Sequence, residues 1–423
     1  MRTASRRVPI VRLVGGAAVA ALVLAGCSSN ESTGPSTESS AENATATSTS
    51  TAAVTTVALN EIDATALNGV VARVAKDLQV PGAVAILKTP DSNLTVTYGT
   101  GTIGQSAPVD TAEHVRIGSN TKTMTGTVIL QLVQEGKLAL ADPISKYRPD
   151  VPNGENITIE QLLNMRSGLF NYSETPQLNQ TLDDDPGKQW TPDELLALAF
   201  ANPPYFPPGE GYHYSNTNTV LLGLVAEDLD GKPLQKIFQA RLFGPAGLTG
   251  TSFPDAADSS IPARYPQGYV FGTNMDTLTD PALPEDMQAA AKDGTLQPAD
   301  VTDVNPSWAW AAGAGISTAD DLVTWVQALA GGQLLNKDMQ AQRLASLQPT
   351  GPEPGSAEYG WGIAKMGPML GHTGEMPGFN SFMGHDPDAK VTLVVWTNLA
   401  PAANGQDPAT TMAKEIIGKL YPA

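Results

Sequence analysis

The chain has 423 residues, a formal net charge of −18 and a single cysteine. One thiol excludes an internal disulfide framework, four histidines leave little from which to build a metal site, and so acidic a surface repels nucleic acid. The length is enough for two packed halves.

Arg2, Arg6, Arg7 and Arg12 precede an unbroken run of apolar and small residues from Leu13 to Ala25, the pattern of an export signal over residues 1–26. The run is shorter than the ~20 residues that span a bilayer. It ends in Leu24-Ala25-Gly26-Cys27, which resembles the bacterial lipobox. By that resemblance Cys27 is diacylated through its sulfur and becomes the mature N-terminus, and two acyl chains suffice for stable anchoring. An ordinary cleaved signal is the alternative. Losing four arginines and no acids would take the formal charge to about −22. Residues 27–58, mostly Ser, Thr and Ala, have no apolar period and read as a disordered tether. The expected location is outside the cytoplasm, held by lipid at the cell membrane and facing the envelope.

Residues 59–423 read as one folded domain. Leu67, Val70, Val71, Val74 and Leu78 recur at helical spacing, and Pro81-Gly82 stops the pattern. "AVAIL" and "LTVTYG" follow as strands around a hairpin loop. Met124, Val128, Ile129, Leu132 and Val133 mark a second helix ending near Gly136, with Ser119 and Lys122 on its first turn. Thr158 with Gln161 and Thr191 with Glu194 fit capping boxes. Between them "SETPQLNQTLDDDPGKQW" shows no period and is expected to be a surface insertion. Another loop-rich stretch runs from Pro254 to Asn305. Thr318 caps a helix carrying Leu322, Trp325, Val326 and Leu329. "YGWGIAKM", "MLGHTG", "NSFMGHD" and "KVTLVVWTN" read as strands before a last helix from Pro408 to Leu420. Strands at both ends of the domain, with helices between, predict one sheet completed by the termini and a cleft where it meets the helical middle.

A serine hydroxyl needs a base within hydrogen-bond reach to become a nucleophile. Residues three apart on a helix are surface neighbours, so Lys122 can bring its amine to Ser119. The helix start also supplies N–H donors and a positive dipole end for a developing oxyanion. Alone, this spacing fits equally a helix cap beside a solvated lysine. Further on stand Tyr214-Ser215-Asn216 and His372-Thr373-Gly374. The order S-x-x-K, Y-x-N, H-T-G resembles the serine β-lactamase and penicillin-binding protein family. The likeness is to the branch of class C β-lactamases, D-alanyl-D-alanine carboxypeptidases and related esterases, in particular the secreted actinomycete carboxypeptidases. "LQLVQEGKLALADPISKY", "ITIEQLLNMRSGL", "PPGEGYHYSNTN" and "AWAAGAGISTADDL" extend it from about Ala66 to the end.

The resemblance implies an α+β, β-lactamase/transpeptidase-like fold: an antiparallel sheet flanked by helices, with an inserted all-helical region. It implies an acyl-enzyme on Ser119, with Lys122 and Tyr214 sharing the proton transfers and no cofactor. Asn216 would hold the substrate amide and orient Lys122. His372, Thr373 and Gly374 would form a substrate-facing edge strand, and Trp308 aligns with a family aromatic near the substrate. The alternatives are a hydrogen-bonded structural histidine and a core tryptophan. The oxyanion hole would use the backbone N–H groups of Ser119 and Glu375. Glu375 departs from the small or hydroxylated residue expected there; period-two alternation puts its side chain on the Thr373 face, where it would repel a terminal carboxylate. Lys365 could compensate, or be a solvated strand lysine. His114, His213 and His385 receive no role. Three functions follow: a D-alanyl-D-alanine carboxypeptidase-like enzyme acting on peptidoglycan stem peptides, an esterase or β-lactamase on the same scaffold, or a tethered binding protein with an idle motif. The first two imply a small-molecule or peptide substrate.

Overall fold

The computed structural model describes residues 58–353 and 355–422. The expected signal segment, Cys27 and nearly all of the expected tether lie outside these residues. One antiparallel sheet organises the domain. Its strands are β1 (Gly82–Lys88), β2 (Asn93–Gly99), β3 (Gln348–Pro349), β4 (Glu358–Gly360), β5 (Ile363–Met366), β6 (Met369–Met376), β7 (Phe379–Asp386) and β8 (Val391–Thr397), in the spatial order β2-β1-β8-β7-β6-β5-β4-β3. The N-terminal hairpin thus completes a sheet built mainly from the last quarter of the chain: Val84 pairs with Trp396, and Ala85 with Val395.

The central strands are apolar on both faces because helices cover both. Ala83, Ala85, Leu87, Leu393 and Val395 belong to one core, and Val84, Ile86, Val394 and Trp396 to the other. This is the period-two alternation of a strand buried on each side. Nine helices among the described residues have nine residues or more: α1 (Ala64–Asp77), α2 (Thr121–Gln134), α3 (Pro176–Asp184), α4 (Pro192–Phe200), α5 (Asn216–Asp230), α6 (Glu285–Asp293), α7 (Ala319–Gly331), α8 (Lys337–Ala345) and α9 (Pro408–Leu420). α1 and α9 pack together on the first face; α7 and α2 cover the second. α1 begins where the Asp63 carboxylate accepts from Ala66 N, and its stripe of Leu67, Val70, Val71 and Val74 is buried. α2 packs against α5, and these two carry the helical region, with both expected capping boxes formed at Thr158 and Thr191. The architecture is the antiparallel sheet with flanking helices of the β-lactamase/transpeptidase-like fold.

Two loop expectations need correction. The stretch from Ser173 to Trp190 contains α3, capped by the Thr175 hydroxyl and opened by Pro176 at a position where a missing N–H costs nothing. Its only buried apolar residues, Leu178 and Leu182, stand one turn apart, too few to make a visible period. The Pro254–Asn305 stretch likewise holds α6 and a two-residue strand pair, Tyr269–Val270 with Ala299–Asp300.

Candidate active site

Ser119 sits in a 3-10 turn, Gly118–Asn120, just ahead of α2, so that Lys122 rather than Ser119 lies on the α2 first turn. The turn is held against β6 by an unusually close approach. Gly118 has φ +52°, and a Cβ there would meet the Glu375 backbone N at 2.4 Å. A Cβ on Gly374 would meet the Ile117 carbonyl at 1.9 Å. Two glycines therefore let the nucleophile turn lie on the open edge of β6, whose pairing with β5 ends at Gly371. The Glu375 backbone is thereby brought against the turn that carries Ser119, as the expected oxyanion hole would require. Asn120 secures the turn, donating to the Ile117 carbonyl at 3.0 Å and to Ser381 Oγ at 2.8 Å.

Lys122 Nζ lies 2.9 Å from Ser119 Oγ and donates to the Ala312 carbonyl at 2.8 Å. The side chain is fully enclosed, and desolvation holds its pKa well below the ordinary lysine range. A neutral amine can take the serine proton. The Tyr214 ring lies 4.7 Å from Lys122 Nζ, and its buried hydroxyl lies near that of Ser119 without a well-formed hydrogen bond. Burial pushes that phenol well above its usual range, the nearby Ser119 hydroxyl opposing. The resting tyrosine is therefore a protonated donor, suited to passing a proton to a leaving group.

His372 is 3% exposed and does not face the cleft. It is bonded on both ring nitrogens, to the Tyr359 hydroxyl and the Thr373 carbonyl. Desolvation, then the Lys122 charge, pull its pKa down to about 3, so the ring is neutral. This is the hydrogen-bonded structural histidine given as the alternative reading. Asn216 lies beside Ser119 at the cleft and its side chain donates to Ser173 Oγ at 3.0 Å; the Lys122 amine is held by the Ala312 carbonyl rather than by Asn216. Its backbone N–H donates to Asn171 Oδ1. Thr373 is half-buried on β6 beside Gly374. Lys365 is 3.1 Å from Glu358 on the neighbouring strand and offers nothing to Glu375.

A cleft of about 360 Å³ opens beside Ser119, with Tyr214, Asn216, Trp308 and Glu375 in its walls. Trp308 is fixed by the Tyr172 hydroxyl, which donates to its carbonyl at 2.8 Å. Glu375 opens to solvent on the cleft side, is enclosed by protein on the others, and faces Asp407, the residue before α9. Desolvation, then the Asp407 carboxyl, hold the Glu375 pKa well above the usual carboxylate range. Asp407 makes no side-chain bond to the helix it precedes. Sequence reasoning missed Ser173, Tyr359, Asp407 and the Ala312 carbonyl; none belongs to a local motif.

A serine beside a buried lysine amine and a buried tyrosine, on this fold, is the arrangement of the serine hydrolases of the β-lactamase/transpeptidase class. The Beta-lactamase family profile matches residues 67–415, and the chain belongs to that family. It is 26% identical over 285 residues to the putative penicillin-binding protein PbpX of Bacillus subtilis (strain 168), covering 67% of this chain and 61% of that protein. It spans 62% of the Staphylococcus aureus (strain COL) protein flp, so these curated relatives are substantially longer. Among solved structures it is similar to a D-stereospecific amidohydrolase from Streptomyces sp., with TM-score 0.69, 30% identity, and coverage of 82% of this chain and 97% of that one. A D-amino acid amidase from Ochrobactrum anthropi SV3 complexed with L-phenylalanine gives TM-score 0.68 and 26% identity, covering 83% and 98%.

Proposed function

We propose that the protein is a serine amidohydrolase that acts through an acyl-enzyme on Ser119 and prefers substrates without a carboxylate beside the scissile bond, D-amino acid amides first among them. The observation that carries this reading is the charge of the cleft. Glu174, Glu375 and Asp407 line it, and among the described residues no lysine or arginine does. A carboxylate-terminated peptide would find no cation to receive it and would meet like charge wherever these acidic groups are ionised, whereas an amide or a protonated amine needs no such partner. The similarity to a D-stereospecific amidohydrolase and a D-amino acid amidase supports the same class. The D-alanyl-D-alanine carboxypeptidase reading uses the same proton-transfer groups and differs from this one at Glu375. Lys122 deprotonates Ser119, the serine oxygen attacks the carbonyl, Tyr214 supplies a proton to the departing amine, and water then releases the acid.

The test is a comparison of kcat/KM for a D-amino acid amide, its L enantiomer and a D-alanyl-D-alanine-terminated peptide, with Ser119→Ala as control. Turnover of the D-amide above the peptide supports the reading; the reverse order returns the protein to the carboxypeptidases. We also propose that the enzyme works in the cell envelope on a lipid anchor at Cys27, a reading supported by the sequence segment alone. Metabolic labelling with a fatty-acid probe, lost in Cys27→Ser, would bear it out.

A further inference from the structure

One wall of the cleft is made by two segments far apart in sequence. α3 contributes Asn179 and Leu182, with Leu178 fully buried behind them, and the 270–281 segment contributes Val270 and Leu278 with Thr273, Asn274 and Thr277 between them. Asp183, adjacent to Leu182, joins them. Its Oδ1 accepts from Asn274 N at 2.8 Å and from Asn274 Nδ2 at 2.7 Å, and its Oδ2 accepts from Met275 N at 3.0 Å. The far segment is closed on itself by Asp276, whose carboxylate accepts from the Thr273 N–H and hydroxyl. Asp183 is thus a three-bond fastening between a preformed loop and α3. Its place has no helical rationale: a carboxylate in the last turn of a helix opposes the macrodipole. Charge-assisted bonds to two backbone N–H groups are among the strong ones, and they fix where the loop lies.

The wall is continuous with the catalytic groups. Asn216, expected to hold the substrate amide, donates to Ser173, two residues before the α3 cap Thr175. Glu375 and Asp407 stand on β6 and just before α9 instead. We infer that Asp183 is a specificity-positioning residue: it holds the Val270–Leu278 wall against α3, so that Leu182, Val270 and Leu278 together form the apolar part of a subsite for the side chain on the acyl part of the substrate. The inference rests on the proposed function only in requiring that Ser119 be acylated.

Two esters with one leaving group test it on the full chain: p-nitrophenyl acetate and p-nitrophenyl phenylacetate. Wild type should favour phenylacetate in kcat/KM by about tenfold or more, the scale of a hydrophobic subsite. Asp183→Ala should lose that preference through KM while acetate turnover stays within about twofold. Asp183→Asn, which keeps one acceptor, should fall between. Leu278→Ser, which leaves the fastening intact, should lose the preference alike. An unchanged preference in Asp183→Ala, an equal fall with both esters, or no preference in wild type would overturn the inference. A preference that behaves as expected in a protein inert to D-amino acid amides would count against the proposed function and leave the subsite standing.

Discussion

The Tyr359 hydroxyl donates to Nε2 of His372 at 3.1 Å, while Nδ1 of the same ring lies 2.6 Å from the Thr373 carbonyl. A carbonyl only accepts, so Nδ1 carries the proton and Nε2 is the acceptor. Both nitrogens are committed, and the ring is a neutral link between Tyr359 on β4 and the β6 backbone. Tyr359→Phe leaves a buried nitrogen unpaired, at a cost of about 1–3 kcal/mol by denaturant titration. Because no charge is removed, kcat on an aryl ester should fall well short of the ~100-fold that marks the loss of a proton-transfer group. A larger fall would make His372 a participant in proton transfer.

Lys122 is the base only while neutral. Acylation by an aryl ester should rise with pH through one ionisation below the ordinary lysine range, because desolvation favours the uncharged amine. Lys122→Arg places a permanent charge there and cannot deprotonate, and should lose about 10²–10⁴ in acylation rate. Stability carries the matching sign. The unfolded chain binds a proton that the native amine has lost, from the depressed native pKa up to 10.5, so this group's contribution rises with pH across that window. Lys122→Met should abolish that slope in a Tm-against-pH series.

Tyr214 stays protonated in the resting enzyme because burial raises its pKa well above 10. A phenol held as donor matters most when the leaving group needs a proton. Tyr214→Phe should therefore cost about 10²–10⁴ on an amide, and much less on a p-nitrophenyl ester, whose leaving group departs as an anion. Equal losses on both substrates would assign Tyr214 to serine deprotonation instead.

Much of this site is legible in the sequence where local patterns carry it. Ser119 and Lys122 share a helical spacing, and β1 and β8 are apolar over most of their length because both faces are covered. What was not legible depends on contacts between distant segments. The orientation of Lys122 comes from the Ala312 carbonyl, and a backbone acceptor leaves no mark on residue type. Glu375 meets Asp407 only because β6 passes the start of α9. α3 escaped because two leucines in nine residues make no period, although Thr175-Pro176 was a readable start signal. Asn216 and His372 were recognisable as motif positions, but their hydrogen bonds go to Ser173 and Tyr359, which lie outside the motifs.

Gly118 is required by geometry rather than by chain flexibility. A methyl group there would collide with backbone atoms of Glu375, 2.4 Å from its N and 2.5 Å from its O, and neither can swing aside. Gly118→Ala should push β6 from the nucleophile turn and separate the two backbone donors. Loss of one such donor costs about 10²–10³ in kcat. The drop should appear with esters and amides alike in protein whose far-ultraviolet circular dichroism is native, since the sheet core lies elsewhere.

Glu375 gives the cleft its pH dependence. Its pKa is raised, by desolvation and then by Asp407, so the native state holds a proton that the unfolded chain releases near pH 4.5. Between that pH and the native pKa the folded state binds more protons, and the contribution of this group to stability falls as pH rises. Glu375→Gln should therefore be more stable than wild type at neutral pH, with the difference closing below about pH 4.5. Solvent reaching the exposed side chain screens the pair, so added salt should narrow the gap. The same substitution removes a carboxyl from the substrate path. It should raise kcat/KM for a D-alanyl-D-alanine-terminated peptide relative to a neutral amide, most at pH values where wild-type Glu375 is ionised. If the ratio does not move, like-charge exclusion at Glu375 does not set the choice between carboxylate-terminated and amide substrates.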